Sequence, residues 1–166
     1  NKKKSLEAQA KGRAMHKSIE QSFEGKESLD QATKDFVQEV LAGRKVVFFE
    51  QALYGNICDM DITGKPDLAL ADDQGRLTIV DWKGSTALYP EMLIQGIAYD
   101  TLARSDGNHP AFYFGSIEIW STTSLKKLGS VDSLREYQYY FDQLDRTIKT
   151  FKFLEEFKIR KGELNV

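Results

Sequence analysis

The chain has 166 residues, of which 41% are hydrophobic and 29% are charged, and its formal net charge is −2. These values are close to those of ordinary globular proteins, so they argue against a disordered chain and against a protein that coats nucleic acid by bulk positive charge. No apolar run approaches the ~20 residues of a membrane helix, so we expect no membrane partner. The length fits one domain, and we predict a single domain over residues 1–166.

Cys58 is the one cysteine in the sequence. It cannot form an internal disulfide, and it excludes a cysteine-based zinc or iron–sulfur site built from this chain alone. We therefore expect no iron–sulfur cluster and a reducing, cytoplasmic compartment. Because the sequence begins at Asn1 and not at a methionine, a leader or an upstream domain is left open.

The first part of the chain predicts two helices. Residues 6–23 carry apolar side chains every three or four positions, as an amphipathic helix does. Ser28 and Gln31 have the spacing of a capping box, and the apolar stripe that follows predicts a second helix ending near Gly43.

The next part of the chain predicts a sheet. Runs of β-branched and aromatic residues indicate successive strands of one sheet at 46–52, 57–62, 66–71 and 77–82. The turn-forming residues 72–75 between the last two runs predict an antiparallel hairpin.

The remaining elements complete an α/β (mixed α+β) fold. We predict a helix over 90–103 that begins with Pro90, a strand over 111–120, a further short strand near 125–131, and a long helix from about 132 to 158. A central mixed sheet flanked by helices is the economical packing for this order of elements.

The residues most informative about chemistry are Pro66-Asp67 and, fourteen positions later, Asp81-Trp82-Lys83. A tight hairpin would bring Asp67 and Asp81 together on adjacent strands. Asp81 and Lys83 are two apart on a strand, so their side chains share a face. Carboxylate oxygens suit hard divalent cations, and a bound cation with a nearby ammonium favours phosphodiester hydrolysis.

This pattern resembles the signature of the PD-(D/E)XK nuclease superfamily, whose core is a mixed sheet flanked by helices, known as the restriction-endonuclease-like core. Three further matches are similar to the RecB-type exonucleases of that superfamily. They are Gln95 and Tyr99 in a Q-x-x-x-Y pair, His16 on the first helix, and Glu50 at the end of a strand ahead of the Pro-Asp motif. The motifs lie within about residues 12–105.

The resemblance implies a Mg²⁺- or Mn²⁺-dependent deoxyribonuclease that acts in DNA recombination, repair or replication. Asp67 and Asp81 would hold one or two ions with the backbone carbonyl of Trp82, and Lys83 would act on the attacking water. His16 would be a further metal ligand and Glu50 an additional one. The remaining motif residues, Gln95 and Tyr99, would contact the substrate strand.

The resemblance also bears on partners. It implies DNA, single-stranded or with free ends, as the substrate. The sequence contains no helicase motif, so it predicts a standalone nuclease, similar to phage or mitochondrial-type exonucleases, or one part of a larger assembly with a partner subunit or as a homo-oligomer. The basic residues available for a DNA groove are Lys2, Lys3, Lys4, Lys11, Arg13, Lys126 and Lys127.

Several alternatives remain open at this point. Asp59 or Asp61 could replace Glu50 as the additional acidic residue, and His16 could be a surface histidine. We expect His109, in a Gly-Asn-His-Pro loop, to be structural. For the whole protein, the alternatives are a structure-specific endonuclease and a non-catalytic module that binds nucleic acid or protein on the nuclease fold.

Overall fold

A computed structural model describes residues 2–24, 30–107 and 111–164. Within these ranges the helices and strands are, in chain order, α1 (Lys2–Phe23), α2 (Gln31–Leu41), β1 (Lys45–Phe49), β2 (Leu53–Ile57), β3 (Met60–Gly64), β4 (Leu68–Ala71), β5 (Arg76–Lys83), α3 (Pro90–Ser105), β6 (Tyr113–Ser121), β7 (Lys127–Val131) and α4 (Leu134–Leu164). No helix in the described ranges combines the length and the apolar character that crossing a membrane requires.

The central sheet has five strands in the order β1-β4-β5-β6-β7. Strands β5 and β6 are parallel because α3 connects them, and the other neighbouring pairs are antiparallel. Helices α1 and α2 cover one face, and α3 and α4 cover the other. The predicted mixed sheet flanked by helices is therefore confirmed.

Strand β5 is buried on both faces, and its side chains alternate between them. Leu77 and Ile79 pack on the α3 side, whereas Val80 and Trp82 pack on the side of α1 and α2. The alternation continues to the end of the strand, so Asp81 lies on the α3 side with Ile79. The register of β5 thus decides which helix each polar residue at its end can reach.

The strand predicted over 57–62, as part of one sheet, is wrong. The chain forms a separate hairpin of β2 and β3, whose turn residues Cys58 and Asp59 have φ values of 52° and 60°. This left-handed turn matches the twist of a two-residue hairpin, but neither residue is the glycine or asparagine that usually signals it. Lys152 of α4 donates to both turn carbonyls, at 3.0 and 2.8 Å.

Several predicted boundaries also change, and three of them have the following basis. The first strand ends at Phe49, three residues early, because Glu50 turns into the left-handed region with φ 47°. Helix α2 is capped by Asp30, whose carboxylate accepts a hydrogen bond from the Thr33 N–H at 2.7 Å, and Ser28 lies outside the described residues. Helix α4 continues to Leu164, beyond the predicted end near 158.

An ion pair within α3 is linked through Arg104 to Tyr137 of α4. Asp100 is fully buried and accepts a hydrogen bond from Arg104 Nε at 2.8 Å, and Arg104 also donates to the Tyr137 hydroxyl at 3.3 Å. Burial raises the pKa of Asp100, and the Arg104 charge opposes that rise. Arg104 therefore connects α3 with α4.

Helix α3 lies on β6 at Gly96, where a Cβ atom would be 2.2 Å from Ile117 Cγ2. Because Ile117 is fully buried and has no room to move, we expect Gly96→Ala to lower the free energy of unfolding by about 1–3 kcal/mol. Denaturant unfolding measures this change.

Gly12→Ala is the matched control for that substitution. Gly12 is also a helical glycine, but its Cβ would make only an ordinary contact, 3.9 Å from Gly84 Cα. Removing glycine from a helix then stabilises the protein by about 0.5–1 kcal/mol. Equal effects of the two substitutions would contradict the close packing of α3 on β6.

Candidate metal centre and active site

The candidate site lies at the end of the β4–β5 hairpin opposite its turn. The turn is closed by Asp72, whose carboxylate accepts hydrogen bonds from the backbone N–H groups of Gln74 and Arg76. With this turn the register pairs Leu68 with Val80, so Asp67 and Asp81 follow side by side. Asp67 Oδ2 also accepts a hydrogen bond from the Trp82 N–H at 2.7 Å. The two predicted carboxylates therefore meet, as the hairpin predicts.

Three residues from separate elements form a group that could hold a metal ion. His16 of α1, Glu50 after β1 and Asp67 before β4 each offer one ligand atom, and these atoms lie within 4.8 Å of one another. We call these three residues the metal grouping. Asp59 and Asp61 lie in the β2–β3 hairpin and are not part of it.

The backbone at Glu50 explains how this side chain reaches the grouping. Its φ of 47° is uncommon for a residue other than glycine, and such strained conformations concentrate at functional sites. The Glu50 N–H donates to the Asp67 carbonyl at 3.0 Å, which holds the turn against the start of β4. Both residues are thereby positioned by one backbone hydrogen bond.

Two further charged residues lie beside the metal grouping. Glu20, one helical turn after His16, has its Oε1 atom 3.1 Å from His16 Nε2, which is also 3.6 Å from Glu50 Oε1. Lys65 Nζ lies 3.6 Å from Glu50 Oε2. Neither residue was predicted from the sequence. The i,i+4 spacing of Glu20 from His16 on the first helix was the signal that could have found Glu20.

The protonation of Asp67 is strongly perturbed. Burial, together with a hydrogen bond and the negative charge from Asp81, raises the pKa of Asp67 to about 8, and the Trp82 N–H and the Lys83 charge oppose the rise only in part. Two buried carboxylates without a neutralising cation repel each other. Because carboxylate oxygens suit Mg²⁺ and Mn²⁺, and imidazole is a common ligand of divalent transition metals, the residues present fit a divalent cation.

Lys83 is linked to both Asp81 and helix α3. Its Nζ atom lies 2.5 Å from Asp81 Oδ2 as an ion pair and donates to Gln95 Oε1 at 2.8 Å. Gln95 Nε2 in turn donates to the Tyr99 hydroxyl at 2.9 Å. Asp81 Oδ2 is buried and accepts no hydrogen bond of good geometry from the described residues. The i,i+4 pair on α3 therefore extends the Asp81–Lys83 pair into a continuous polar chain.

Tyr99 is held in this chain by a glycine. A Cβ atom at Gly64 would lie 2.5 Å from Tyr99 Cε1, so the ring occupies the space that any other residue would fill. Burial raises the pKa of the Tyr99 hydroxyl, and the charges of Asp81 and Asp67 raise it further. This role of Gly64 was not predicted from the sequence, although Gly64 stands three residues before Asp67.

The predicted basic residues do not gather into one groove. Arg13 lines a groove that begins at His16, whereas Lys11 lines a different depression beside α2. Lys127 Nζ lies 5.6 Å from the centroid of the Trp120 ring, on the face of the sheet covered by α2. Lys3, Lys4 and Lys126 are exposed, and the Lys2 side chain and His109 lie outside the described residues.

A comparison with known protein families covers most residues of this site. The family model of the PD-(D/E)XK nuclease superfamily matches residues 33–163, which is well over half of the chain. The match includes Glu50, Asp67, Asp81, Lys83 and the polar pair on α3, and it begins after His16. None of the curated proteins compared with the chain matches it.

Proposed function

The chain belongs to the PD-(D/E)XK nuclease superfamily, and on this premise we propose that it is a Mg²⁺- or Mn²⁺-dependent DNA exonuclease of the RecB type. Its reaction is the hydrolysis of phosphodiester bonds from a DNA end. One observation carries the proposal: the metal grouping and the Asp81–Lys83 ion pair lie at the same end of the central sheet.

Carboxylates and one imidazole hold the metal in this proposal. Asp67 and Asp81 are the principal ligands, His16 and Glu50 complete the site, and the Trp82 carbonyl contributes from β5. When bound, the divalent ion lowers the pKa of a water molecule and neutralises charge that develops on the phosphoryl oxygens. The raised pKa of Asp67 supports this role, because burial and the Asp81 charge disfavour its ionised form and a bound cation would favour that form.

Lys83 acts on the reacting groups. Its ammonium orients the attacking water and stabilises the added negative charge as the new bond from oxygen to phosphorus forms and the bond to the leaving oxygen breaks. Gln95 accepts a hydrogen bond from Lys83 and so limits the positions of the ammonium. Tyr99 and Gln95 face the substrate strand from α3.

The link from Lys83 to Gln95 and Tyr99 supports the RecB type, since it connects that group's Q-x-x-x-Y pair with the proposed catalytic lysine. We propose a role in DNA recombination, repair or replication, with a partner subunit or a second copy of the chain completing the assembly.

The test is a cleavage assay on three DNA substrates. The purified protein is incubated with end-labelled linear single-stranded DNA, linear duplex DNA and a closed circle, each with Mn²⁺, Mg²⁺ or EDTA. We expect loss of linear DNA only with metal, and a rate about 10²–10⁴-fold lower for Lys83→Ala. Lys45→Ala, at the exposed start of β1, is the matched control and should cleave at the wild-type rate.

The outcomes separate the alternatives. Cutting of the closed circle would identify an endonuclease instead of an exonuclease. Absence of cleavage under every condition, with DNA binding retained, would identify a non-catalytic binding module.

A further inference from the structure

A groove of about 430 Å³ runs along α1 away from the metal grouping. One wall consists of Ser5, Gln9, Arg13 and His16, which recur every three or four residues and so share one face of the helix. Trp82 and Thr122 line the opposite wall. The groove is therefore formed between α1 and the ends of β5 and β6.

The groove is continuous with the candidate active site. His16 belongs both to the groove and to the metal grouping. Trp82 stands between Asp81 and Lys83 on β5, and its backbone N–H is bonded to Asp67. A polymer with one phosphate at the metal grouping would therefore extend into this groove with its adjacent residues.

The charge of the groove suits a phosphate. None of its lining residues is acidic, in contrast to the metal grouping beside it. Arg13 is exposed and forms no ion pair with any described carboxylate. It lies three residues before His16, about 4.5 Å along the helix axis, and its forked guanidinium suits phosphate oxygens. Arg13 can therefore contact a phosphate adjacent to the one at the metal grouping.

The size of the groove suits one strand. Gly12 and Gly84 line it without side chains, and a Cβ atom at Gly12 would already touch Gly84 Cα at 3.9 Å. A volume of 430 Å³ is within the ~300–1,000 Å³ of pockets that enclose small ligands, so it has room for part of a single strand and not for a duplex.

We propose that the α1 groove binds a single nucleic-acid strand next to the scissile phosphate, with the Arg13 guanidinium on the neighbouring phosphate group. This inference rests on the proposed nuclease function and specifies the form of the substrate at that site. Arg13 is then a substrate-binding residue, and Gln9 and Thr122 are the neutral polar groups available to the same strand.

The test measures binding of a fluorescein-labelled, twelve-residue oligothymidylate to the Asp81→Asn protein, which prevents cleavage during the measurement. Adding Arg13→Gln should raise the Kd about 10–100-fold, because it removes a charged, hydrogen-bonded contact with a phosphate. It should also reduce the slope of log Kd against log salt concentration by about 0.7, the value for one phosphate contact on a single strand.

Two further variants are needed for the interpretation. Lys17→Gln removes a charge from an exposed position of α1 that does not line the groove, and should change the Kd less than twofold. Gly12→Leu fills the groove without changing charge and favours the helix, so it should raise the Kd while the protein still folds. Thermal unfolding of each variant checks the fold.

The results distinguish two failures. If the Asp81→Asn protein binds the strand and both Arg13→Gln and Gly12→Leu bind it equally well, the groove inference is wrong and the proposed function stands. If wild-type protein neither binds nor cleaves DNA, the proposed function fails and the inference fails with it. Equal effects of Arg13→Gln on the strand and on a twelve-base-pair duplex would overturn the preference for a single strand.

Discussion

Replacing Asp81 with asparagine is expected to reduce phosphodiester hydrolysis by about 10³-fold or more, because a metal-ion site contributes several kcal/mol to the transition state. The carboxylate lies beside Asp67 and forms an ion pair with Lys83. Asparagine has nearly the same shape, but it lacks the charge that both a divalent cation and the lysine require. The substitution would therefore remove both a metal ligand and the ion-pair partner of Lys83, and it would leave no cavity.

The measurement is the single-turnover rate of cleavage with Mn²⁺, together with the free energy of unfolding. Asp73→Asn is the matched control, since it makes the same chemical change at an exposed position in the turn of the same hairpin. A fully folded Asp81→Asn protein that cleaves at the wild-type rate would refute the role assigned to Asp81.

Asp67→Asn is expected to stabilise the metal-free protein at pH 8 by on the order of 1–3 kcal/mol, although it abolishes activity. In wild-type protein burial disfavours the charged form of the Asp67 carboxyl, and the hydrogen bond and negative charge of Asp81 add to this effect, so the pKa of Asp67 is raised to about 8. Asparagine has no charge at any pH, and its carbonyl oxygen can still accept the hydrogen bond that Trp82 donates.

The sign of the pH dependence follows from proton binding. Between the unfolded pKa near 4 and the raised pKa of about 8, the folded protein binds more protons at Asp67 than the unfolded chain does. Stability therefore falls as pH rises through this window, and the deficit is complete above it. The advantage of Asp67→Asn should accordingly grow between about pH 4 and pH 8, reach its full size above pH 8, and disappear below about pH 4.

Denaturant unfolding at several pH values in EDTA measures this effect, and a repeat with Mn²⁺ measures metal binding. Wild-type protein should gain stability with increasing Mn²⁺, because a ligand that binds only the folded state stabilises that state. The variant should gain little. Asp73→Asn again serves as the control. Identical pH dependence of Asp67→Asn and wild type would show that no buried charge at Asp67 opposes folding.

Most helices and strands of the described residues were predictable because their signals are local. The order of the elements, the β4–β5 hairpin and helix α3 agree with the periodicity and the turn residues. The exception is the β2–β3 hairpin, where Cys58 and Asp59 adopt a left-handed turn without the usual turn residues. A contact made far along the chain, from Lys152 to the two turn carbonyls, stabilises that conformation.

The residue types of the candidate site were predictable from the sequence, but the contacts between its residues from different elements were not. The positions of Asp67, Asp81 and Lys83 follow from one hairpin and from the two-residue repeat of a strand. The contact of Lys83 with Gln95 depends instead on how closely α3 lies on the sheet, which Gly96 permits. Gly64 was missed because Tyr99, its neighbour in space, is distant in sequence. Glu20 was missed although its i,i+4 spacing from His16 is a local signal.

By itself, the sequence determined most of the elements, the face shared by Asp81 and Lys83, and the i,i+4 pair on α3, since each depends on the geometry of a single segment. Only the tertiary structure decided that α1, the end of β1 and the start of β4 meet at the metal grouping, and that α1 leaves a groove beside β5. The physical reason is that the packing of segments distant in sequence fixes these positions, and the propensity of any single segment does not encode this packing.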